Sequence, residues 1–327
     1  MKKLRLLLCV LLAFAIAFVG VPGHAYADTD DGTVYVGGFQ VGISVDIDGL
    51  LVESVTGVET EYGIAAVEGI YSGDVIKSVN GSDVDSYDDI ADSITVGKAT
   101  LEIVRDGRQL TVEVTPVVEL YTGKPKLGIK IKDKIYGVGT VTFVRGNGRF
   151  VALGHEICDG ESGVRLPFDG GHIHGCKVVG IKRGTKNEAG AFIAPVIPDK
   201  VLGDVTCNNS FGVAGNYTAD FDRSQKLPLG GRDDVKPGAA QVRTTVNGVT
   251  DNFDIEIIKA TKQSERKEKG IVFRVTDKRL LDATGGIVRG MSGSPIIQDG
   301  KVVAGVTHVL LNDSTKGYGV YADFLNP

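Results

Sequence analysis

The sequence predicts a mainly β chain of two domains, and three observations support this prediction. At 327 residues the chain is long enough to bury two separate cores. It holds 45 glycines, and aromatic residues make up only 7%, which is typical of short strands and frequent turns. From residue 119 onward, short β-rich runs alternate with glycine and show almost no helical periodicity. We therefore expect a small mixed domain over residues 28–118 and a large barrel or paired barrels over residues 119–327.

The first 27 residues have the pattern of an export signal. Lys2, Lys3 and Arg5 precede an apolar run over residues 6–21, and Ala25-Tyr26-Ala27 follows as a small-x-small cleavage site. The run is short for a bilayer span, which favours a signal peptide, but an uncleaved membrane anchor fits the same residues. We therefore expect export across the cytoplasmic membrane, as a secreted or a membrane-tethered protein.

Charge and cysteine content narrow the class of protein further. The chain has 36 Lys and Arg against 41 Asp and Glu, a net charge of −5 without a basic block. We therefore expect no nucleic-acid partner.

Beyond the signal, the remaining cysteines are Cys158, Cys176 and Cys207. An odd number cannot pair completely, so they are expected as small buried thiols, with a single disulfide as the alternative.

Residues 28–118 carry their own pattern of strands and one helix. Alternating apolar residues predict a half-buried strand over residues 40–47 and another over residues 49–55. Apolar residues at helical spacing, with acids near the start, predict a helix over residues 86–94. Two later strands, over residues 100–105 and 109–115, are joined by Asp106-Gly107, a strong hairpin signal.

The stretch over residues 69–81 resembles the turn, strand and Asn-Gly hairpin of PDZ domains. The resemblance implies that Gln40, Val41, Gly42 and Ile43 form the loop whose amides receive the terminal carboxylate of a peptide ligand. The strand that follows would then pair with the extended peptide. A PDZ fold that only holds the neighbouring domain in place remains the alternative.

Two segments of the larger domain carry residue types suited to nucleophilic catalysis. His155 follows an apolar strand over residues 150–153, and Ser292 lies between Gly290 and Gly293 ahead of another strand. A serine hydroxyl becomes a good nucleophile when a neutral histidine takes its proton. The glycines permit a tight turn in which the amides of Gly290 and Ser292 form an oxyanion hole, each donor contributing roughly 3 kcal/mol in the transition state. We predict His155 as general base and Ser292 as nucleophile.

The stretch over residues 290–295 is similar to the Gly-Asp-Ser-Gly-Gly-Pro signature of chymotrypsin-like peptidases, and histidine again precedes serine. More specifically, the chain resembles the stage IV sporulation protein B peptidases, in stretches over residues 152–157, 253–258, 275–281, 285–297 and 305–320. That family combines an N-terminal membrane segment, a PDZ domain and a chymotrypsin-like peptidase domain. The resemblance implies a small PDZ domain followed by a double β-barrel serine endopeptidase that needs no cofactor and no metal.

The resemblance also implies further site residues. Asp277 corresponds to the triad acid, although it lies closer to the serine than in ordinary chymotrypsin-like enzymes. An exposed charge in a turn is the alternative for Asp277, and Asp204 and Asp220 are weaker candidates for the acid. Thr307 has a hydroxyl that can help to orient the site. Met291 replaces the aspartate that pairs with a newly cut N-terminus, so we expect the PDZ domain to control activity instead.

The family implies a signalling protease of spore formation. It would act between the two membranes of the forming spore, where it would cut a membrane-anchored regulatory protein and so release maturation of a late transcription factor. A paralogue with another extracytoplasmic target fits the same residues.

Two other functions compete with this interpretation. His172, His174 and Cys176, with His155 and Cys158 upstream, are ligand types that zinc accepts, but their spacing matches no common zinc module. The other alternative is an exported PDZ scaffold with an inactive peptidase-like domain.

Overall fold

The computed structural model describes residues 32–160, 166–184 and 188–325. The expected signal or anchor, residues 1–27, lies outside the described residues. Within the described ranges, no helix is long and apolar enough to cross a membrane. The helices are α1 (Tyr87–Ser93) and α2 (Lys278–Thr284), and short 3-10 turns cover Arg232–Asp234 and Ala322–Phe324.

The strands form several sheets, and most belong to two barrels and one inserted unit. In chain order they are β1 (Thr33–Val36), β2 (Gln40–Val55), β3 (Val58–Thr60), β4 (Gly63–Ala65), β5 (Val75–Val79), β6 (Ser82–Asp83), β7 (Ala99–Arg105), β8 (Arg108–Val114), β9 (Val117–Val118), β10 (Pro125–Lys126), β11 (Ile129–Arg145), β12 (Arg149–Ala152), β13 (Phe168–Cys176), β14 (Gly180–Lys182), β15 (Gly190–Ile193), β16 (Val196–Asn209), β17 (Gly212–Tyr217), β18 (Lys226–Pro228), β19 (Gly238–Val246), β20 (Val249–Ala260), β21 (Ile271–Val275), β22 (Val288–Arg289), β23 (Pro295–Gln298), β24 (Lys301–Leu310) and β25 (Asp313–Tyr321).

Two rings of six antiparallel strands form the larger part of the structure. In the first barrel, β2, β11, β12, β17, β16 and β13 pair in that order, and β13 pairs back with β2. In the second barrel the order is β19, β20, β21, β25, β24 and β23, and β23 closes on β19. One buried apolar cluster lies in the first barrel, and the cluster of the second barrel extends to Phe143, Val151 and Ala214 on strands of the first. The fold class predicted from the sequence, mainly β with paired barrels, is confirmed.

The PDZ-like unit is inserted between two neighbouring strands of the first barrel. β2 and β11 stay paired from Gln40↔Thr140 to Val55↔Ile129, and the chain between them forms a separate core around Ile90. The first half of β2 therefore belongs to the first barrel and β1 pairs with β11 of that barrel, although the sequence assigned both to the small domain over residues 28–118. The reason is that β2 is one strand of 16 residues, whose alternation gives no sign that it passes from one unit to the other.

Most local predictions for the inserted unit are confirmed. Ser86 caps α1 by accepting a hydrogen bond from the amide of Asp89. Asn80 and Asp106 both have a positive φ angle of 51° and are each followed by glycine, as type I′ hairpin turns require. These turns fix the register of the strands that they join.

Helix α2 was not predicted, because the sequence indicated only a turn at this point. Asp277 is its N-cap residue, and the Asp277 carboxylate accepts a hydrogen bond from the Arg279 amide. Gly285 ends the helix in the left-handed conformation, with φ 76°. The helix is only seven residues long, which leaves few periods for a sequence pattern to reveal.

Candidate active site

His155 and Ser292 line one cleft of about 500 Å³ between the two barrels. His155 follows β12 of the first barrel, whereas Ser292 precedes β23 of the second. The remaining walls come from both barrels and from the segments between them: Val138, Ala189, Lys269, Ile287, Val288, Arg289, Gly290, Thr307, His308, Val309, Leu311 and Tyr318. The structure thus brings together the predicted base and the predicted nucleophile.

A constrained turn places His155 in the cleft. Leu153 and Gly154 both have φ 71°, a left-handed conformation that is costly for leucine. The turn touches the serine loop directly, because a Cβ on Gly293 would lie 2.4 Å from the Leu153 nitrogen and 2.0 Å from the Thr140 carbonyl oxygen. Gly293 is therefore required for the close approach of the two barrels as well as for its own φ of 91°.

The tautomer of His155 is set by the backbone. Its Nδ1 lies 2.8 Å from the carbonyl oxygen of Glu156, which can only accept, so Nδ1 carries the proton. Nε2 is then the unprotonated nitrogen and can act as a base. In a catalytic triad this orienting task belongs to a carboxylate, and here a carbonyl performs it.

Ser292 is held away from the base in this structure. Its Oγ donates to the Thr307 carbonyl oxygen at 2.9 Å, and no hydrogen bond between described residues joins it to His155. A rotation about χ1 moves a serine hydroxyl between staggered positions at little cost. Thr307 thus contributes to the site through its backbone, while its own hydroxyl is 3.5 Å from the Glu268 carbonyl oxygen.

The serine loop leaves two amides for a substrate oxygen. The amides of Met291 and Gly293 donate to the carbonyls of Val288 and Val306, at 3.1 and 2.7 Å. Within the described part of the chain, the amides of Gly290 and Ser292 donate to no backbone carbonyl. This is the pair predicted from the sequence to form the oxyanion hole, and their role stays a prediction.

Among the described residues, no hydrogen bond or ion pair joins Asp277 to His155. Its carboxylate accepts from the Arg279 guanidinium, at 2.8 and 3.2 Å, and from the amides of Arg279 and Asp254, at 2.8 and 3.3 Å. The Arg279 guanidinium holds the pKa of Asp277 below its ordinary value. The observed carboxylate caps α2 and anchors Arg279, and no contact supports its predicted role as triad acid. Its distance along the chain from Ser292 could not reveal which way the carboxylate points.

His308 is a site residue that the sequence analysis missed. Its ring centroid lies 5.3 Å from that of His155, and no hydrogen-bond partner reaches its buried Nδ1 within the described structure. Burial, with smaller contributions from His155 and Lys269, lowers the pKa of His308 to about 4. A neutral imidazole therefore packs beside the base at neutral pH. A lone histidine on a strand gives no sequence signal for this role.

The predicted carboxylate-binding loop, Gln40 to Ile43, does not have that role. Val41 and Ile43 are fully buried, and this half of β2 pairs with β11 on one side and with β13 on the other. An added peptide strand needs a free edge, which this segment lacks. The prediction was wrong because the same alternating pattern suits a strand enclosed in a barrel.

The alternative metal ligands are engaged elsewhere. His172 Nδ1 lies 3.2 Å from Asp204, and His174 contacts the Ser44 hydroxyl and the Pro198 carbonyl oxygen at 2.9 Å each. Among the described residues, no group of three or more His, Cys, Asp or Glu is arranged to hold a metal ion. Burial raises the pKa of Cys176 to about 11, so its thiol is protonated at neutral pH.

Comparison with protein families gives one match. The family described as SpoIVB peptidase S55 matches residues 123–325, a range that includes His155, Asp277 and Ser292. No curated protein matches the chain.

Several solved structures resemble parts of the chain at low identity. The PDZ domain of an SdrC-like protein from Listeria monocytogenes is 21% identical, covering 27% of this chain and 93% of that one, with a TM-score of 0.22. The active form of the Rv3671c protease from M. tuberculosis is 15% identical, covering 58% and 71%, with a TM-score of 0.35. AlgW, an HtrA-type protease solved with a decapeptide, is 10% identical, covering 63% and 53%, with a TM-score of 0.34. All three TM-scores are below 0.5, so these structures assign no function to the chain.

Proposed function

Because the chain belongs to the SpoIVB peptidase S55 family, we propose that it is the sporulation-signalling member that cuts a membrane-associated regulatory protein. Membership makes the chain a serine endopeptidase. The cleavage would trigger maturation of a late transcription factor. The family's name supports the link to spore formation, and the apolar run over residues 6–21 supports export to the space between the two membranes.

The proposed reaction passes through an acyl-enzyme at Ser292. The hydroxyl leaves the Thr307 carbonyl by rotation about χ1, gives its proton to His155 Nε2 and attacks the scissile carbonyl carbon. The amides of Gly290 and Ser292 stabilise the oxyanion, and His155 then protonates the departing amine. Water hydrolyses the ester by the same steps in reverse order. This route uses only groups of the chain and needs no cofactor.

The single observation that carries the mechanism is the contact between His155 Nδ1 and the Glu156 carbonyl. It leaves Nε2 unprotonated in the cleft that Ser292 also lines. The test compares the unmodified chain, Ser292→Ala and Ser294→Ala with a serine-directed phosphonate and an unfolded protein substrate. Ser294 is a matched control, because it is fully buried two residues away and its Oγ has no hydrogen-bond partner within the described structure.

We expect labelling and cleavage by the unmodified chain and by Ser294→Ala, and neither by Ser292→Ala. Cleavage that survives in Ser292→Ala would contradict the assignment of the nucleophile. The biological proposal has a separate test, in which sporulating cells carry Ser292→Ala in place of the natural residue. The regulatory protein should then stay uncut and the late transcription factor immature, and normal maturation would contradict the proposed role.

We also propose a peptide ligand for the PDZ-like unit, at a different edge from the one expected. Residues 129–131 of β11 pair with β2 on one side, and no described strand pairs with their other side. Ile129 and Ile131 pack in the core that contains Ile90 of α1. Addition of a peptide strand to such an edge is a common mode of recognition. Hydrogen exchange with a C-terminal peptide should show new protection over residues 127–131, and unchanged exchange there would exclude this edge.

A further inference from the structure

One residue of the first barrel holds the serine loop of the second. The Thr140 hydroxyl donates to the Gly290 carbonyl oxygen at 2.7 Å, and the Thr140 amide donates to the Ser292 carbonyl oxygen at 2.9 Å. Thr140 lies in β11 and is fully buried. The two contacts therefore cross from one barrel to the other and flank the nucleophile.

These contacts fix alternate peptide units of the loop. The unit between Gly290 and Met291 is bound at its carbonyl by Thr140 and at its amide by Val288. The unit between Ser292 and Gly293 is bound at its carbonyl by Thr140 and at its amide by Val306. Because peptide units are planar, fixing these two confines the unit between them, which carries the Ser292 amide. The direction of the predicted oxyanion donor of Ser292 thus depends on Thr140.

Thr140 is itself held in place by a buried polar network. Gln40 Nε2 donates to Thr140 Oγ at 3.4 Å and to Thr244 Oγ at 3.1 Å, and Thr244 belongs to β19 of the second barrel. All three side chains are buried. Buried polar groups that are hydrogen-bonded in this way specify one arrangement of their neighbours. By contrast, Thr142 is equally buried in the same strand, yet its Oγ has no hydrogen-bond partner within the described structure.

We propose that Thr140 is a positioning residue for catalysis, which orients the predicted oxyanion donor of Ser292 from the opposite barrel. The proposal rests on the assignment of Ser292 as nucleophile. The Thr140 hydroxyl touches neither substrate nor reacting atoms, so its effect passes through the peptide unit that it binds. Gln40, expected from the sequence to bind a peptide, supports this arrangement instead.

The test uses the full chain with Thr140→Val, Thr140→Ser and the control Thr142→Val. Steady-state cleavage of a peptide, the rate of phosphonate labelling and urea unfolding are measured for each. Valine keeps the shape and removes the hydroxyl, so Thr140→Val should lower kcat by about ten- to a hundredfold and leave KM within about twofold. Phosphonate labelling should slow by a similar factor, because the phosphonyl oxygen occupies the same hole. Thr140→Ser should restore most of the activity, and Thr142→Val should match the unmodified chain.

Three results would overturn the proposal. These are an unchanged kcat in Thr140→Val, an equal loss in Thr142→Val, and a failure of Thr140→Ser to restore activity. If Thr140→Val does not fold, Thr140→Cys replaces it, because a thiol of similar volume is a weak donor and should give an intermediate kcat. Ser292→Ala is measured in parallel. Cleavage that does not depend on Ser292 would contradict the assignment of Ser292 as nucleophile. Cleavage that depends on Ser292 but has the same kcat in Thr140→Val would contradict only the positioning role of Thr140.

Discussion

Replacing His308 with glutamine should reduce the sensitivity of the fold to acid. The pKa of His308 is about 4 in the folded chain against an ordinary value of 6.5. At a pH between these two values, the unfolded chain therefore binds a proton at His308 that the folded chain does not bind. Above pH 6.5, His308 therefore does not lower the unfolding free energy, and it lowers it increasingly as the pH falls toward 4. The penalty works out at about 2 kcal/mol at pH 5, and at about 3 kcal/mol once both states are protonated.

The assay is urea unfolding at pH 7.5 and at pH 5, in a Ser292→Ala background that prevents self-cleavage. The unfolding free energy of the parent should fall between the two values by about 2 kcal/mol more than that of His308→Gln. His172→Gln serves as the control, because that imidazole lies on the surface of the first barrel, with 48% of its side chain exposed. Equal pH dependence in the parent and in His308→Gln would refute the burial argument.

Three further predictions concern the loop, the acid and metals. Gly293→Ala should abolish cleavage and destabilise the fold by several kcal/mol, because the added Cβ would overlap the Thr140 carbonyl oxygen. Gly300→Ala is the control: Gly300 has φ 74° and open space around it, so urea unfolding should show a loss of only about 1 kcal/mol. Asp277→Asn should lower kcat less than tenfold if Asp277 only caps α2 and binds Arg279, whereas a loss near 10⁴-fold would identify it as the triad acid. Cleavage should be unchanged after dialysis against a chelator, and a loss that zinc restores would favour the metal alternative.

Only some residues of the candidate active site could be predicted from local sequence patterns. His155 and Ser292 were predictable because each lies beside a strand in a motif of a few residues, and the glycines around Ser292 are required by the turn itself. Thr140 and His308 were not predictable in this way. The Thr140 hydroxyl meets a carbonyl 150 residues away in the sequence, and His308 acquires its low pKa from burial beside His155. Neither relation leaves a trace in the residues that surround it in the chain.

The sequence by itself determined the mainly β class, the hairpin turns, helix α1 and the pairing of a histidine with a glycine-bracketed serine. These features depend on side-chain alternation, capping and φ angles, which are properties of neighbouring residues. Only the tertiary structure decided that β2 runs from the first barrel into the PDZ-like unit, that Gln40 to Ile43 are enclosed, and that Asp277 faces Arg279. The hydrogen-bond partners of a strand edge or a carboxylate are whichever groups the packed chain brings next to them. An alternating strand has the same sequence pattern whether one of its edges is free or both are paired.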